Sequence, residues 1–232
     1  MLSRIGLLCL SFILSSCLSP QPSAIIDWLD LIRLDGVTYF SDSQFAAQNR
    51  HVDADSEIYP DDVLTEYDSI KHFVPSEQPG LGYQIKDGDS TRHEAGTVVS
   101  SIAAYSPKFR LLVKHEGVYL LYEAAKNINA ETGADLLDIE GKVIRIELTE
   151  LNQEGSNAVV NDMEDIESLV SSILNAPIDN DFVSCSDEIR VEFVLQDSTS
   201  STQELCLTTG LSRTGIQWPL STIEMISGYL RE

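Results

Sequence analysis

Short β-prone runs separated by turn sequences fill the first half of this chain and constrain its fold more than any other feature. Between residues 83 and 122, runs rich in valine, leucine, isoleucine and tyrosine alternate with turn sequences. This spacing is typical of antiparallel strands that curl or close into a small barrel. Upstream, Asp35-Gly36 separates two apolar runs, 25–32 and 37–40, and predicts a hairpin. We therefore expect a β-rich domain over residues 25–141.

The other segments of this domain are less regular. Residues 41–69 are polar and acidic, which predicts a long surface loop with at most one short helix. Residues 70–74 are predicted to form a strand, and residues 75–82 a turn-rich break. Residues 124–141 contain several asparagines and glycines and predict a connecting loop with at most one helical turn.

A second, α+β domain is predicted over residues 142–232. Residues 142–151 alternate with period two and predict a strand that places Val143, either Ile144 or Ile146, and Leu148 near a core. A second, shorter strand is predicted at 158–160.

The clearest helix in the chain is predicted over residues 162–176. Asp162 is a suitable N-cap, and Pro177 ends the helix. One continuous apolar stripe runs along it, formed by Ile166, Leu169, Val170, Ile173 and Leu174.

The rest of this domain predicts a hairpin and a terminal helix. The hairpin joins residues 189–195 to 203–208. Ser221 and Glu224 have the spacing of a capping box, which predicts a helix ending near Leu230. The resulting order, β-β-α-β-β-α, predicts an open sandwich with its helices on one face, and the whole chain is predicted to be α+β.

Residues 1–16 have the pattern of a secretion signal. Arg4 precedes an apolar run, Ile5 to Leu14, that is too short to span ~30 Å of hydrocarbon as a helix. The sequence Leu14-Ser15-Ser16-Cys17 follows, and it resembles the lipobox of bacterial lipoproteins. The resemblance implies cleavage before Cys17, diacylglycerol on its thiol and attachment to a membrane through residues 17–24 as a lipidated tether. The alternative is an ordinary signal peptide followed by a chance cysteine.

The β-rich half also carries five short motifs: Asp35-Gly36-Val37-Thr38-Tyr39, Gly88-Asp89-Ser90, Gly96-Thr97, Ala104-Tyr105 and Phe109-Arg110. Together they resemble the NGITY, GDA, GT, GY and FR motifs of an uncharacterised family of bacterial extracytoplasmic proteins. This chain departs from that pattern at Asp35, Ser90 and Ala104. The resemblance spans residues 25–145 and implies a shared architecture, with no catalytic residue to carry over.

The chain is strongly acidic, with a formal net charge of −22. Such a charge repels phosphate backbones and anionic headgroups, so we expect no nucleic-acid partner and no electrostatic hold on a lipid surface. Solubility is the simplest explanation of the excess acid. The partners left open are the membrane, through the lipid anchor, and an envelope protein or a glycan.

Two acidic segments are candidate sites. The run 53–57 suggests a calcium loop, but an EF-hand would need Gly and Glu where Ile58 and Leu64 stand, which leaves a looser oxygen-ligand site or a solvated loop. Asp87 and Asp89 flank Gly88, where aspartates cap turns without any ligand or contribute to a site.

No other motif predicts a metal, a cofactor or a catalytic residue. The histidines, His51, His72, His93 and His115, have no zinc-like spacing. Neither a serine nucleophile elbow nor a phosphate-binding glycine loop is found in the sequence. Carboxylates far apart in the chain could still meet in the fold and catalyse hydrolysis.

Cys185 and Cys206 are predicted to form a disulfide. An exported protein folds in an oxidising compartment, and Cys9 and Cys17 are lost to the signal and the lipid. A hairpin turn centred near Ser200 would put Cys206 opposite Val194, so Cys185 would have to lie on a neighbouring segment. Two separate buried thiols are the alternative.

The aromatic residues are open to two interpretations. Trp28, Tyr39, Tyr105, Tyr119 and Tyr122 could line a glycan or peptide groove, or pack in the core. We expect a non-enzymatic binding or structural module, anchored in the cell envelope to the outer face of the cytoplasmic membrane or to an outer membrane. An envelope hydrolase that uses carboxylates and an accessory subunit of an envelope complex are the alternatives.

Overall fold

The computed structural model describes residues 29–41, 63–77, 82–151, 157–179 and 185–231. The predicted signal and tether, with Cys17, lie outside these residues. So do Trp28, His51 and the acidic run 53–57. The expectations for these positions therefore stay predictions.

The first half of the chain forms an eight-stranded curled sheet, as predicted. Its strands are β1 (Leu31–Leu34), β2 (Val37–Ser41), β3 (Leu64–Ser69), β4 (His72–Phe73), β5 (Asp89–Ser90), β6 (Val98–Ile102), β7 (Arg110–His115) and β8 (Val118–Asn127). The order is β3-β6-β7-β8-β2-β1-β5-β4, and only β4 and β5 pair in parallel. The two edge strands, β3 and β4, follow each other in the chain, so the sheet curls until its ends meet at Ile70 and Lys71.

The β1–β2 hairpin forms at Asp35-Gly36, as predicted. Both turn residues have positive φ, 50° and 79°, as a two-residue turn of type I′ requires. Asp87 supports this turn from another loop, because its Oδ1 accepts from the Gly36 N–H at 2.9 Å and lies 3.3 Å from Arg33 Nε. The Asp87 carboxylate therefore has a structural role.

Two predictions for residues 41–74 were wrong. Residues 64–69, expected in a loop, form strand β3, whose polar sequence suits an edge strand exposed to water. Backbone pairing with β6, which the side-chain pattern does not reveal, holds it in place. The strand expected at 70–74 is only two residues long, and Val74–Glu77, which includes Pro75, forms a 3-10 turn instead. At the end of the domain, β8 continues to Asn127, into the predicted loop.

The second half forms the predicted β-β-α-β-β-α unit. Its elements are β9 (Val143–Glu150), β10 (Asn157–Val160), α1 (Met163–Leu174), β11 (Glu188–Leu195), β12 (Ser200–Cys206) and α2 (Leu220–Tyr229). The antiparallel sheet has the order β10-β9-β11-β12, and α1 and α2 pack on each other and on its β9–β10 half. The buried apolar side chains of both sheets belong to one continuous cluster.

The structure of strand β9 shows which of Ile144 and Ile146 faces the core. Val143, Ile146 and Leu148 are buried, whereas Ile144 is 46% exposed. The register between β9 and β11 shifts at Val194, so the alternation is interrupted near Ile144. An extra residue of this kind turns one side chain away from the core.

Helix α1 begins and packs as its sequence predicts. The Asp162 carboxylate accepts from the N–H groups of Glu164 and Asp165, and the predicted apolar stripe is buried. Its last turn rests on a 3-10 turn at Gly133–Asp135 in the β8–β9 connection. A Cβ on Gly133 would lie 2.2 Å from the Ile173 carbonyl oxygen, so only glycine allows this approach.

Helix α2 starts one residue earlier than its predicted cap. Pro219 is the N-cap, and Ser221 lies inside the first turn, so the capping box at Ser221 was wrong. The fixed backbone of Pro219 suits an extended residue before a helix. Thr222 then faces inward, with its Oγ1 2.6 Å from Ser172 Oγ on α1. Among the described residues, no helix is long and apolar enough to cross a membrane.

The Cys185–Cys206 disulfide is present, with the two Cα atoms 5.8 Å apart. The predicted hairpin register was wrong, because Ser200, and not Cys206, lies opposite Val194. The turn centres at Asp197, three residues earlier than expected. When the turn moves by one residue, the partner of each residue on the opposite strand changes by two positions. Cys206 therefore lies opposite Glu188, close to Cys185. A loop of this length gives a stabilisation of ~3 kcal/mol by restricting the unfolded chain.

We expect substitutions on the two faces of α1 to differ sharply. Leu169→Ala should lower the free energy of unfolding by ~2–5 kcal/mol, since this side chain is 1% exposed. Ser171→Ala, on the exposed face, should change it by less than ~0.5 kcal/mol. Ser172→Ala should cost ~1 kcal/mol through its lost hydrogen bond to Thr222. Denaturant titration measures all three, and equal effects of Leu169→Ala and Ser171→Ala would contradict the packing.

Candidate functional site

Arg110, the first residue of β7, is fully buried between the two sheets. Its Nε donates to Glu123 Oε1 on the neighbouring strand β8 at 2.7 Å. On the other side, Nη1 donates to Thr199 Oγ1 at 2.7 Å and Nη2 to the Ser200 carbonyl at 2.5 Å. One guanidinium therefore bonds to both sheets.

The surroundings of Arg110 complete this arrangement. Ser201 Oγ donates to the second oxygen of Glu123 at 2.9 Å, so β12 also reaches the carboxylate. The guanidinium carbon lies 5.0 Å from the ring centre of Tyr105 and 4.7 Å from that of Phe109. The Tyr105 hydroxyl donates to Asp197 in the β11–β12 turn at 2.7 Å. Paired charges and flanking rings are the arrangement that a buried arginine requires.

A cleft of about 690 Å³ opens beside this cluster, between β2 and β8 on one side and β12 with the 211–215 loop on the other. The first wall is formed by Leu29, Thr38, Phe40, Glu123, Ala124, Ala125 and Lys126, and the second by Asp179, Thr202, Gln203, Glu204, Leu211, Ser212, Arg213, Thr214 and Gly215. The volume is typical of sites that hold a small molecule or a short chain segment. Apolar surface predominates, with polar groups placed along both walls.

The glutamates that line the cleft already have arginine partners. Glu123 is held by Arg110, and Glu204 lies 2.8 Å from Arg213 and 3.7 Å from Arg190. Glycosidase-type catalysis instead needs two carboxylates that face each other across the bond to be cleaved. Both of these carboxylates are instead paired with guanidinium groups.

A second polar cluster lies inside the curled sheet. The Tyr122 hydroxyl donates to Asp30 Oδ1 at 2.6 Å and lies 2.7 Å from His93 Nε2. Because the carboxylate can only accept, the single hydroxyl proton goes to Asp30, and His93 must donate through Nε2–H. Arg92 pairs with the other oxygen of Asp30 at 2.8 Å, and the His115 ring meets that of His93 edge-on at 5.2 Å.

Burial changes the protonation of this cluster. Desolvation lowers the pKa of His93 to about 4, and the charges of His115 and Arg92 act in the same direction, against the opposing effect of Asp30. Desolvation, together with the charge of Asp30, raises the pKa of Tyr122. At neutral pH both rings are therefore uncharged, and the hydrogen bonds of the cluster join Asp30, just before β1, to β8 and to the 91–93 segment.

The residues that the sequence singled out are dispersed in the structure. Of the aromatic residues, Tyr39, Tyr105, Tyr119 and Tyr122 are buried in the core, the second of their two interpretations. Asp89 is buried, with one oxygen accepting from the Lys86 N–H at 2.7 Å and the Tyr83 hydroxyl at 2.8 Å.

Two further groups of potential metal ligands have other partners. His72 pairs with Glu77 at the surface. Cys185, Asp187 and Cys206 could by their positions hold an ion, but the two sulfurs are joined to each other. Neither group carries a site.

Sequence reasoning missed both polar clusters. The motifs include Arg110 and the predicted hairpin turn includes Thr199, but neither pattern indicates that they meet, and no motif includes Glu123. Asp30, His93 and Tyr122 are separated by tens of residues, so no spacing predicts that they meet. The available signal was a single arginine between apolar residues, Phe109 and Leu111, which suggests a buried, paired charge.

We expect stability to fall at mildly acidic pH because of His93. Its pKa is lower in the folded state, about 4, than in the unfolded chain, so its contribution is complete above pH 6.5 and is lost as the pH falls towards 4. The loss should reach ~3 kcal/mol. Denaturant titrations across this range should show a smaller decline for His93→Gln than for wild type, and His72→Gln, at an exposed position, is the control. Equal slopes for all three proteins would contradict the role of His93.

The chain was also compared with known proteins. No protein family, no curated protein and no solved structure matched it. The cleft and the two buried clusters are therefore the basis for assigning a function.

Proposed function

We propose that this protein is a membrane-anchored extracytoplasmic lipoprotein whose folded part binds a ligand in the cleft between its two sheets. The cleft carries the proposal, because a cavity of about 690 Å³ with apolar walls and a few polar groups is the form that binding sites take. Its walls belong to different sheets that share the buried Arg110. The site is thus built before a ligand arrives, which reduces the entropic cost of binding.

The anchor and the cleft are compatible in position. Leu29 lines the cleft and is separated from Cys17 only by residues 18–28. A chain of that length reaches at most ~40 Å when fully extended. The cleft would then stay close to the membrane surface, where it could meet ligands of the envelope. The strong negative charge favours solubility there and disfavours direct contact with anionic lipids.

A carboxylate hydrolase is the weaker alternative. Glu123 and Glu204 are each engaged by arginines, and each has a side chain that is at most 15% exposed. A hydrolytic pair would need at least one carboxylate free to face the substrate and a second opposite it. The arrangement of the cleft favours binding without bond cleavage.

The first experiment tests the anchor. The full chain, expressed in a bacterial host, should partition into the detergent phase and carry a lipid on Cys17, because two or three acyl chains anchor a protein durably. Cys17→Ser should abolish lipidation and leave the precursor uncut at this position. Mass spectrometry of the amino-terminal peptide provides the measurement. A wild-type protein in the aqueous phase with an unmodified Cys17 would refute the anchor.

The second experiment tests the cleft. We expect a short peptide, an N-acetylglucosamine disaccharide or a medium-chain fatty acid to shift backbone amide NMR signals of cleft residues such as Thr202 and Thr214. Ala125→Trp, which fills the cleft from the β8 wall, should abolish these shifts. Ala103→Trp, at an exposed alanine, should leave them unchanged. If none of the three probes shifts the cleft signals, the binding function is wrong.

A further inference from the structure

We infer that the cleft binds a short extended segment of a partner polypeptide, which adds as a strand to the free edge of β12 beside Thr202. This inference rests on the proposed function and names its class of ligand. In the order β10-β9-β11-β12, strand β12 lies at the edge of the sheet, and its residues Thr202, Gln203 and Glu204 line the cleft. An edge strand bordering a cleft is the geometry of binding by β-augmentation.

The backbone direction of β12 follows from its hydrogen bonds. Its register with β11 runs without a shift from Ser200 to Cys206, so backbone groups alternate strictly between the two sides. The Glu204 carbonyl accepts from the Arg213 N–H at 2.8 Å, and the Cys206 N–H donates to the Leu211 carbonyl at 3.1 Å. Even-numbered residues therefore point away from β11. The Ser200 carbonyl, which accepts from Arg110, fits the same alternation.

Thr202 is the even-numbered residue between these contacts. Its N–H and C=O consequently point away from β11, at the edge of the sheet where this residue lines the cleft. In the described part of the chain, no hydrogen bond is found on this side of the Thr202 backbone. A donor and an acceptor on one residue, both directed outward, are the pair that an antiparallel strand engages.

Part of the β12 edge is already paired with an extended segment of the same chain. Residues 211–213 lie along Glu204–Cys206 and make backbone hydrogen bonds to both ends of that stretch. A ligand strand beside Thr202 would continue the line of that segment. The length of such a strand is limited at both ends. Arg110 already donates to the Ser200 carbonyl, and the Arg213 N–H already donates to the Glu204 carbonyl. Ser200 to Glu204 spans ~13 Å, which suits a segment of roughly three to five residues.

The walls of the cleft favour a neutral backbone with small apolar side chains. Phe40 and Ala125 line the cleft on the side of the first sheet and offer apolar surface to the side chains of a bound strand. Glu123 and Glu204 are paired with Arg110 and Arg213, so neither carboxylate requires a cationic group on the ligand. A polypeptide in extended conformation meets these conditions and the exposed Thr202 groups together.

The test uses the full chain in detergent and the peptide acetyl-Ser-Val-Thr-Val-Ser-amide. We expect the peptide to shift the Thr202 amide signal and to slow its hydrogen exchange. The same peptide N-methylated at its three central amides should bind at least roughly tenfold more weakly, because it lacks the donors. Thr202→Pro should cause a similar loss, while Thr202→Ala, which keeps the backbone N–H, should bind within roughly twofold of wild type.

Proline is tolerated at an edge strand where the N–H faces outward, so Thr202→Pro removes the donor without breaking a bond to β11. If that variant does not fold, the N-methylated peptide still decides the question on the wild-type protein. Equal binding of the methylated and unmethylated peptides would overturn strand addition. If the disaccharide or the fatty acid shifts the amide signals of cleft residues and the peptide does not, strand addition is wrong. The proposed function would then remain intact. If none of the three probes shifts these signals, both strand addition and the proposed binding function are wrong.

Discussion

The buried charge of Arg110 is the constraint on which the rest of the structure depends. An arginine removed from water is stable only when its donors meet acceptors, and the partners of Arg110 come from two places, Glu123 in the first sheet and Thr199 with Ser200 in the second. Neither sheet alone satisfies it. Breaking such a pair typically costs ~3–5 kcal/mol, so the two sheets are held in one relative arrangement.

The cleft is a consequence of that arrangement. Arg110 on β7 joins Glu123 of β8 to Ser200, the first residue of β12, and the cleft lies beside this contact, between β8 and β12. The same contact occupies the Ser200 carbonyl and leaves Thr202 as the next outward residue on the edge. A single interaction thus positions the walls of the candidate site and limits the length of strand that its edge can accept.

The second polar cluster, formed by Asp30, His93 and Tyr122, shows a different use of buried polarity. It joins strand β8 to the residues that flank the paired strands β1 and β5, and His93 in it is uncharged at neutral pH. A fully satisfied network fixes a unique packing, whereas protonation of His93 would leave a charge in the interior. The cluster therefore adds side-chain contacts to the backbone pairing of β1 and β5 and ties both to β8.

The sequence by itself determined the local structure and the fold class. Turn dipeptides, period-two alternation and the stripe of α1 act between neighbours in the chain, so they predicted most strands, the two helices and the α+β class. Only the tertiary structure decided the polar edge strand β3, the hairpin register that brings Cys206 to Cys185, and the cleft beside Arg110. These depend on contacts between residues far apart in the chain, and such contacts leave no periodic signal in the sequence.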